Sequence, residues 1–194
     1  IFASKEVFEI EPDIITCAKG LTSGYIPLGA MIVSDRLYST LTDKAGRGQT
    51  FANGYTYSAH PVSCAAGMAN LDIFEREDIC GHVRKTGPYF RDRLGELSVL
   101  DMVGDVRGSH FMVCVECTSD KKNKTVPPSE WNVGKRIFEK CQEKGLLARP
   151  MGHLIVMSPP LIVNRAQIDF AVETLRQGIV EVMDDLKREG LWKA

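Results

Sequence analysis

Apolar positions follow two rhythms along the chain. The runs Ile14–Ala18 and Leu28–Val33 are continuous and short, the pattern of buried strands. The first stops at Lys19-Gly20, and the Leu21–Pro27 segment after it is rich in Gly, Ser and Thr, so a buried strand is predicted to feed a functional loop. Ser34 and Asp35 offer a helix cap ahead of Arg36–Leu41. From Asp43 to Tyr57 the chain is polar and glycine-bearing over a length unusual for a connection inside a compact domain, and a working loop is expected there.

The second rhythm is helical. Between His60 and Glu77 the residues Val62, Ala65, Ala66, Ala69, Leu71 and Phe74 recur at helical spacing, with small side chains concentrated early, which predicts close packing on a neighbour. Another helical pattern covers about Asp78 to Glu96. The change from small to charged residues near Glu75–Asp78 is expected to mark a domain boundary, with residues 1–77 on one side and 78–194 on the other. Beyond it the pattern reads as strands at Leu100–Val106 and Phe111–Glu116, a helix after Pro127-Pro128-Ser129, and short strands near Leu146 and Ile155. A closing helix runs from Arg165 to about Glu189. The fold class is therefore α/β, followed by a small α+β domain.

Composition narrows the classes of function. The 194 residues are 44% hydrophobic, enough for a real core, and the chain opens at Ile1 directly into structured pattern, as expected of a piece of something longer. The 24 basic and 25 acidic residues leave a net charge of -1 with neither sign concentrated, which argues against nucleic acid as a partner. No apolar run is long enough to cross a bilayer and no leader is visible, so no membrane association and a soluble protein are expected. Six dispersed cysteines suit a reducing, cytosolic setting. Cys114 and Cys117 form a C-x-x-C within an apolar strand, where they face opposite sides and serve packing rather than metal or redox chemistry. His60 is read as structural. His82, His110 and His153 are scattered, and no metal site is expected.

Chemistry gathers at three places. Lys19 ends the first apolar run, inside Pro12-Asp-Ile-Ile-Thr-Cys-Ala-Lys19-Gly-Leu-Thr-Ser-Gly-Tyr-Ile-Pro-Leu-Gly-Ala30. A lysine in buried surroundings has its ammonium form disfavoured, and the neutral amine can condense with an aldehyde. Taken alone, a lysine after a strand is more often a solvated strand end. The whole segment, however, resembles the cofactor-lysine signature of class III (omega-amino acid:pyruvate type) aminotransferases, a branch of the fold-type I enzymes that use pyridoxal 5'-phosphate. The resemblance implies that Lys19 is catalytic, forming a Schiff base with the cofactor and moving a proton once an amine substrate displaces it.

The second match is Phe51-Ala-Asn-Gly-Tyr-Thr56-Tyr-Ser-Ala-His-Pro-Val-Ser-Cys-Ala-Ala66, similar to the family's phosphate-contacting turn and the helix after it. A hydroxyl and backbone N–H groups at a glycine turn before a helix suit a phosphate, and by this resemblance Gly54, Tyr55 and Thr56 bind the cofactor. In the family the threonine reaches the neighbouring subunit's cofactor, which implies a homodimer with shared active sites. Asn53 and Ala59 stand where the motif more commonly has His and Gly. The third match is Gly145-Leu-Leu-Ala-Arg149-Pro-Met-Gly-His-Leu-Ile-Val-Met-Ser-Pro-Pro-Leu-Ile162. It resembles a small-domain stretch in which a mobile arginine admits a substrate carboxylate, a role the two parallel donors of Arg149 suit. Val106-Arg107-Gly108 also resembles a family segment and is read as structural.

The resemblance covers essentially the whole chain. It implies the C-terminal part of the large cofactor-binding domain followed by the small domain. The aspartate facing the pyridine nitrogen, the stacked aromatic ring and the glycine-serine phosphate loop are then expected upstream, so the chain needs the upstream part of the same enzyme to be competent. The expected reaction moves an amino group from an omega-amino acid or amine donor to a keto-acid acceptor such as pyruvate. The alternatives are another enzyme of the scaffold (aminomutase, racemase or decarboxylase) and a non-catalytic dimerisation or binding fragment.

Overall fold

A short helix α1 (Lys5–Phe8) precedes the first apolar run, which forms strand β1 (Ile14–Cys17). The computed structural model describes residues 5–43 and 52–192; residues 44–51 of the expected working loop lie outside them. The second run forms β2 (Ala30–Val33), antiparallel to β1 in the register Ile14↔Val33 to Cys17↔Ala30. Neither strand is buried as expected: Ile14 is 51% exposed, Met31 48% and Ile32 45%. The reason is topological, because the pair is a two-stranded sheet with no third strand among the described residues.

Asp13 closes the open end of this hairpin. Its carbonyl accepts the Ser34 N–H at 2.8 Å, and its carboxylate accepts the Ser34 hydroxyl at 3.2 Å and pairs with Arg36 at 2.7 Å. The Arg36 guanidinium holds the Asp13 carboxyl below its ordinary range. Ser34 is thus spent on Asp13, and helix α2 (Asp35–Asp43) follows it.

Helix α3 (Pro61–Arg76) opens with proline in its first turn, where the missing N–H costs nothing. Its packed face differs from the expected one. Ser63 and Gly67 are buried with Ala66, Asn70, Leu71 and Phe74 half-buried beside them, while Val62, Ala65 and Ala69 are exposed. Close approach selects this face: a Cβ at Gly67 would sit 2.9 Å from Leu28 Cδ2. The chain divides into two compact units between Cys80 and Gly81, in the first turn of α4 (Ile79–Gly95).

The second unit carries the hydrophobic core. Strands β3 (Val103–Ser109), β4 (Met112–Cys117), β5 (Arg149–Met151) and β6 (Leu154–Met157) form an antiparallel sheet in the order β3-β4-β6-β5. A 3-10 turn at Glu96–Val99 precedes β3, which begins at Val103 rather than Leu100. The strand expected near Leu146 begins at Arg149, because Leu146 is used to end helix α5 (Val133–Glu143): its N–H donates to the Cys141 carbonyl at 2.9 Å while Gly145 turns left-handed at φ 87°. Helix α6 (Arg165–Arg188) packs on α5, and Gly178 lets the two meet closely, since a Cβ there would lie 3.0 Å from Cys141 Sγ. Leu94, Met102, Val113, Val115, Ile137, Ile155, Ile168, Leu175 and Ile179 fill the interior.

Arg107 behaves structurally, bridging Asp105 on its own strand at 3.1 Å and Glu116 on β4. Gly108 (φ 127°) crosses β4 so closely that a Cβ would collide with the Met112 carbonyl. All six cysteines are free. Cys117 is buried and Cys114 half-buried, and burial pushes the Cys117 thiol up to about 12.

Candidate active site

Strand β1 ends directly before a 3-10 turn, Lys19–Thr22. Lys19 takes φ 53° and Ser23 φ 52°, both left-handed and both unusual for residues with a Cβ. The turn is held by its own bonds, Leu21 N–H to Ala18 O at 3.2 Å and Ser23 N–H to Gly20 O at 3.1 Å, and the buried Thr22 hydroxyl donates to the Ile26 carbonyl at 2.6 Å. The Lys19 side chain is exposed, which corrects the expectation of buried surroundings. The cause is the open two-stranded sheet beneath it: the described residues supply no layer to desolvate the amine.

Lys19 nevertheless faces structure. It lines a hollow of about 950 Å³ together with Tyr55, Tyr57, Ser58, His60 and Ser63, and its floor is the apolar stretch Ile26–Gly29. Part of the lining is a self-closed turn: Tyr55 N–H donates to the Ser58 hydroxyl at 2.9 Å, Ser58 N–H returns to the Tyr55 carbonyl at 2.9 Å, and His60 N–H reaches the Tyr57 carbonyl at 3.3 Å. Ala59 adopts φ 58° in this turn. His60 heads α3 without a side-chain cap bond and lies against the Tyr57 ring, centroids 6.3 Å apart. Helix α3 thus directs its N-terminus, where the macrodipole is positive, from a turn that also offers hydroxyls.

Among the residues expected from the sequence, Lys19 and Tyr55 line the same hollow. Gly54 and Thr56 belong to the same exposed loop but do not line it. Arg149 lies in the second unit, on β5 opposite Val156, where it is exposed and lines a hollow of about 350 Å³ with Phe90, Leu147, Met157 and Pro160. Tyr57, Ser58 and Ser63 were not singled out from the sequence. Their signal was present, since all lie within the second motif at the positions flanking Thr56 and opening α3. Among the described residues no cluster of three His, Cys, Asp or Glu side chains is arranged to hold a metal, and no helix is long and apolar enough to cross a membrane.

An amine that lines one hollow with apolar residues, aromatic rings and a hydroxyl-bearing turn can hold an aldehyde-bearing ring with an anionic tail. The chain matches the aminotransferase class-III family over residues 1–179. It belongs to that family. An uncharacterized aminotransferase of Sinorhizobium fredii is 42% identical over 186 residues, 94% of this chain and 40% of the relative. The PMP-bound aminotransferase from Vibrio fluvialis superposes with a TM-score of 0.89 at 32% identity, over 93% of this chain and 40% of that one. An (S)-enantioselective omega-transaminase from Thermomicrobium roseum gives 0.87 at 37% identity, again over 93% and 40%. The chain therefore spans about 40% of the length of these relatives.

Class III aminotransferases use pyridoxal 5'-phosphate, and the residues around the hollow fit that group. Lys19 would offer the amine for its aldehyde, and the Ser58 and Ser63 hydroxyls near the start of α3 would offer donors for its phosphate.

Proposed function

We propose that the complete protein is a pyridoxal-phosphate-dependent transaminase that moves an amino group from an omega-amino acid or amine to a keto acid such as pyruvate. The observation that carries this reading is the shared hollow of Lys19 and the Tyr55–His60 turn. Bound there, the cofactor supplies an aldehyde carbon and a ring that accepts electrons. Lys19 Nζ would hold the cofactor through that carbon and, once an amine substrate is bound, would remove and return the proton at the reacting carbon. A bidentate guanidinium at Arg149 binds the carboxylate of the keto acid and withdraws for donors that lack one. The description of the Thermomicrobium roseum relative as an omega-transaminase supports the donor class.

Thr56, on an exposed loop whose neighbours Tyr55 and Tyr57 are 84% and 81% exposed, reaches the cofactor of a second subunit in a homodimer. Residues 1–77 form the C-terminal part of the large cofactor-binding domain and 78–194 the small domain, completed by the upstream part of the same enzyme. Six free cysteines support a cytoplasmic setting.

The full-length protein incubated with an omega-amine and pyruvate yields alanine. Turnover of the amine without a keto acid would instead point to an aminomutase, racemase or decarboxylase. Replacing Arg149→Ala raises KM for the keto acid about 10- to 100-fold, the scale of a charge-assisted pair, and leaves binding of a carboxylate-free amine unchanged. An unchanged KM for the keto acid would remove Arg149 from the site.

A further inference from the structure

The contacts between α3 and the turn that begins at Lys19 exceed what helix packing requires. Asn70, half-buried on α3, donates through Nδ2 to the Gly20 carbonyl at 3.0 Å and to the Leu21 carbonyl at 3.2 Å, and its Oδ1 accepts the Ser23 hydroxyl at 2.7 Å. Every partner lies in the segment that follows Lys19. Among the described residues the Lys19 side chain itself has no hydrogen-bond or ion-pair partner, so the backbone of this turn is what sets the position of the amine.

That backbone is strained at both ends, with Lys19 and Ser23 left-handed. Residues with a Cβ stay in that region only where the surroundings over-determine it. Gly67, one turn earlier on the same face of α3, supplies the approach: a Cβ there would meet Leu28 Cδ2 at 2.9 Å and Thr22 Cγ2 at 4.0 Å, so the helix backbone stands against the loop. Close approach by Gly67 brings the amide of Asn70 within reach of carbonyls that a larger residue would hold off.

We propose that Asn70 is a positioning residue of the active site, a clamp that locks the strained Lys19–Ser23 turn and thereby aims the Lys19 amine into the hollow. The role rests on the reading of Lys19 as the cofactor lysine. Condensation of an amine with an aldehyde demands near-attack geometry, and a displacement of about 1 Å lowers such rates on the order of a hundredfold.

The test uses full-length protein carrying Asn70→Ala or the isosteric Asn70→Asp, which keeps the acceptor for Ser23 but has no donor for the two carbonyls. Leu71→Ala, a half-buried neighbour on the same helix, is the packing control. Hydrogen exchange of the Leu21, Ser23 and Tyr25 amides is measured in cofactor-free protein, and the rate of forming a borohydride-reducible adduct with pyridoxal phosphate is measured across pH. Both Asn70 variants should exchange these amides faster and form the adduct at least about tenfold more slowly, with a displaced pH profile, while Leu71→Ala matches the parent. Parental exchange in Asn70→Asp, or equal slowing in Leu71→Ala, overturns the clamp. Lys19→Ala separates the two layers: an adduct that persists without Lys19 rejects the cofactor-lysine reading, whereas its loss there alongside parental adduct rates in the Asn70 variants rejects the clamp alone.

Discussion

Ala59 shows how one departure from a family motif acquires a physical meaning. It stands where the motif more commonly has glycine, and its φ of 58° is the conformation that glycine adopts without penalty. The chain therefore holds a strained alanine in the turn that faces Lys19. Replacing Ala59→Gly should stabilise the protein by up to about 1 kcal/mol, because relief of strain is partly offset by the greater freedom of glycine in the unfolded chain. Denaturant titration measures it, and destabilisation would show that the surroundings, not strain, dominate there.

A second residue-scale expectation concerns acid. The Tyr89 hydroxyl donates to Asp169 at 2.6 Å and Arg93 Nε at 2.9 Å, and these two bonds, the tyrosine first, hold the Asp169 carboxyl below its ordinary range. A depressed folded-state value stabilises the protein above the unfolded carboxyl value of about 3.9 and ceases to do so as pH falls through the folded one. In Tyr89→Phe the Asp169 carboxyl should titrate at higher pH, and the stability gap to the parent should narrow as the medium is acidified below that range. Carboxyl NMR follows the first and denaturation at several pH values the second. An unchanged Asp169 titration would contradict the assignment.

At the scale of elements, periodicity made the strands and helices legible, and local chemistry moved their ends. Leu146 looked like a strand residue because its apolar neighbours continue past Gly145, yet its N–H completes the end of α5. Helix α6 begins at Arg165 as its periodicity predicts, and a capping box fixes that end: the Asn164 and Gln167 side chains each accept the other's backbone N–H at 3.0 Å. Asn164→Ala should cost about 1 kcal/mol, readable as a lowered Tm, and an unaltered Tm would mean that packing alone fixes this end. The face that α3 buries was legible only in part: Ala66, Leu71 and Phe74 are half-buried on it. Val62, Ala65 and Ala69 satisfy the apolar spacing, but the loop selects Gly67 and Asn70, and Ser23 is 47 residues from Asn70 in sequence. Long-range partners of this kind leave no periodic trace. Lys19 and its facing turn drew notice in the sequence only because their segments match family motifs; spacing alone left Lys19 as a strand end.

Across the whole molecule, burial is uneven. The hydrophobic cluster of Leu94, Ile137, Ile155 and Leu175 belongs to the second unit, whereas the first exposes Ile14, Met31, Ile32, Tyr55, Tyr57 and Met68. Apolar exposure on that scale around a candidate active site accords with a chain that spans about 40% of the length of its relatives. The proposed chemistry depends on the amine of Lys19. Full-length protein loaded with pyridoxal phosphate, reduced with borohydride and digested for peptide mass spectrometry should carry the cofactor at Lys19 and lose it in Lys19→Ala. Attachment at any other lysine, or none in the parent, would contradict the account.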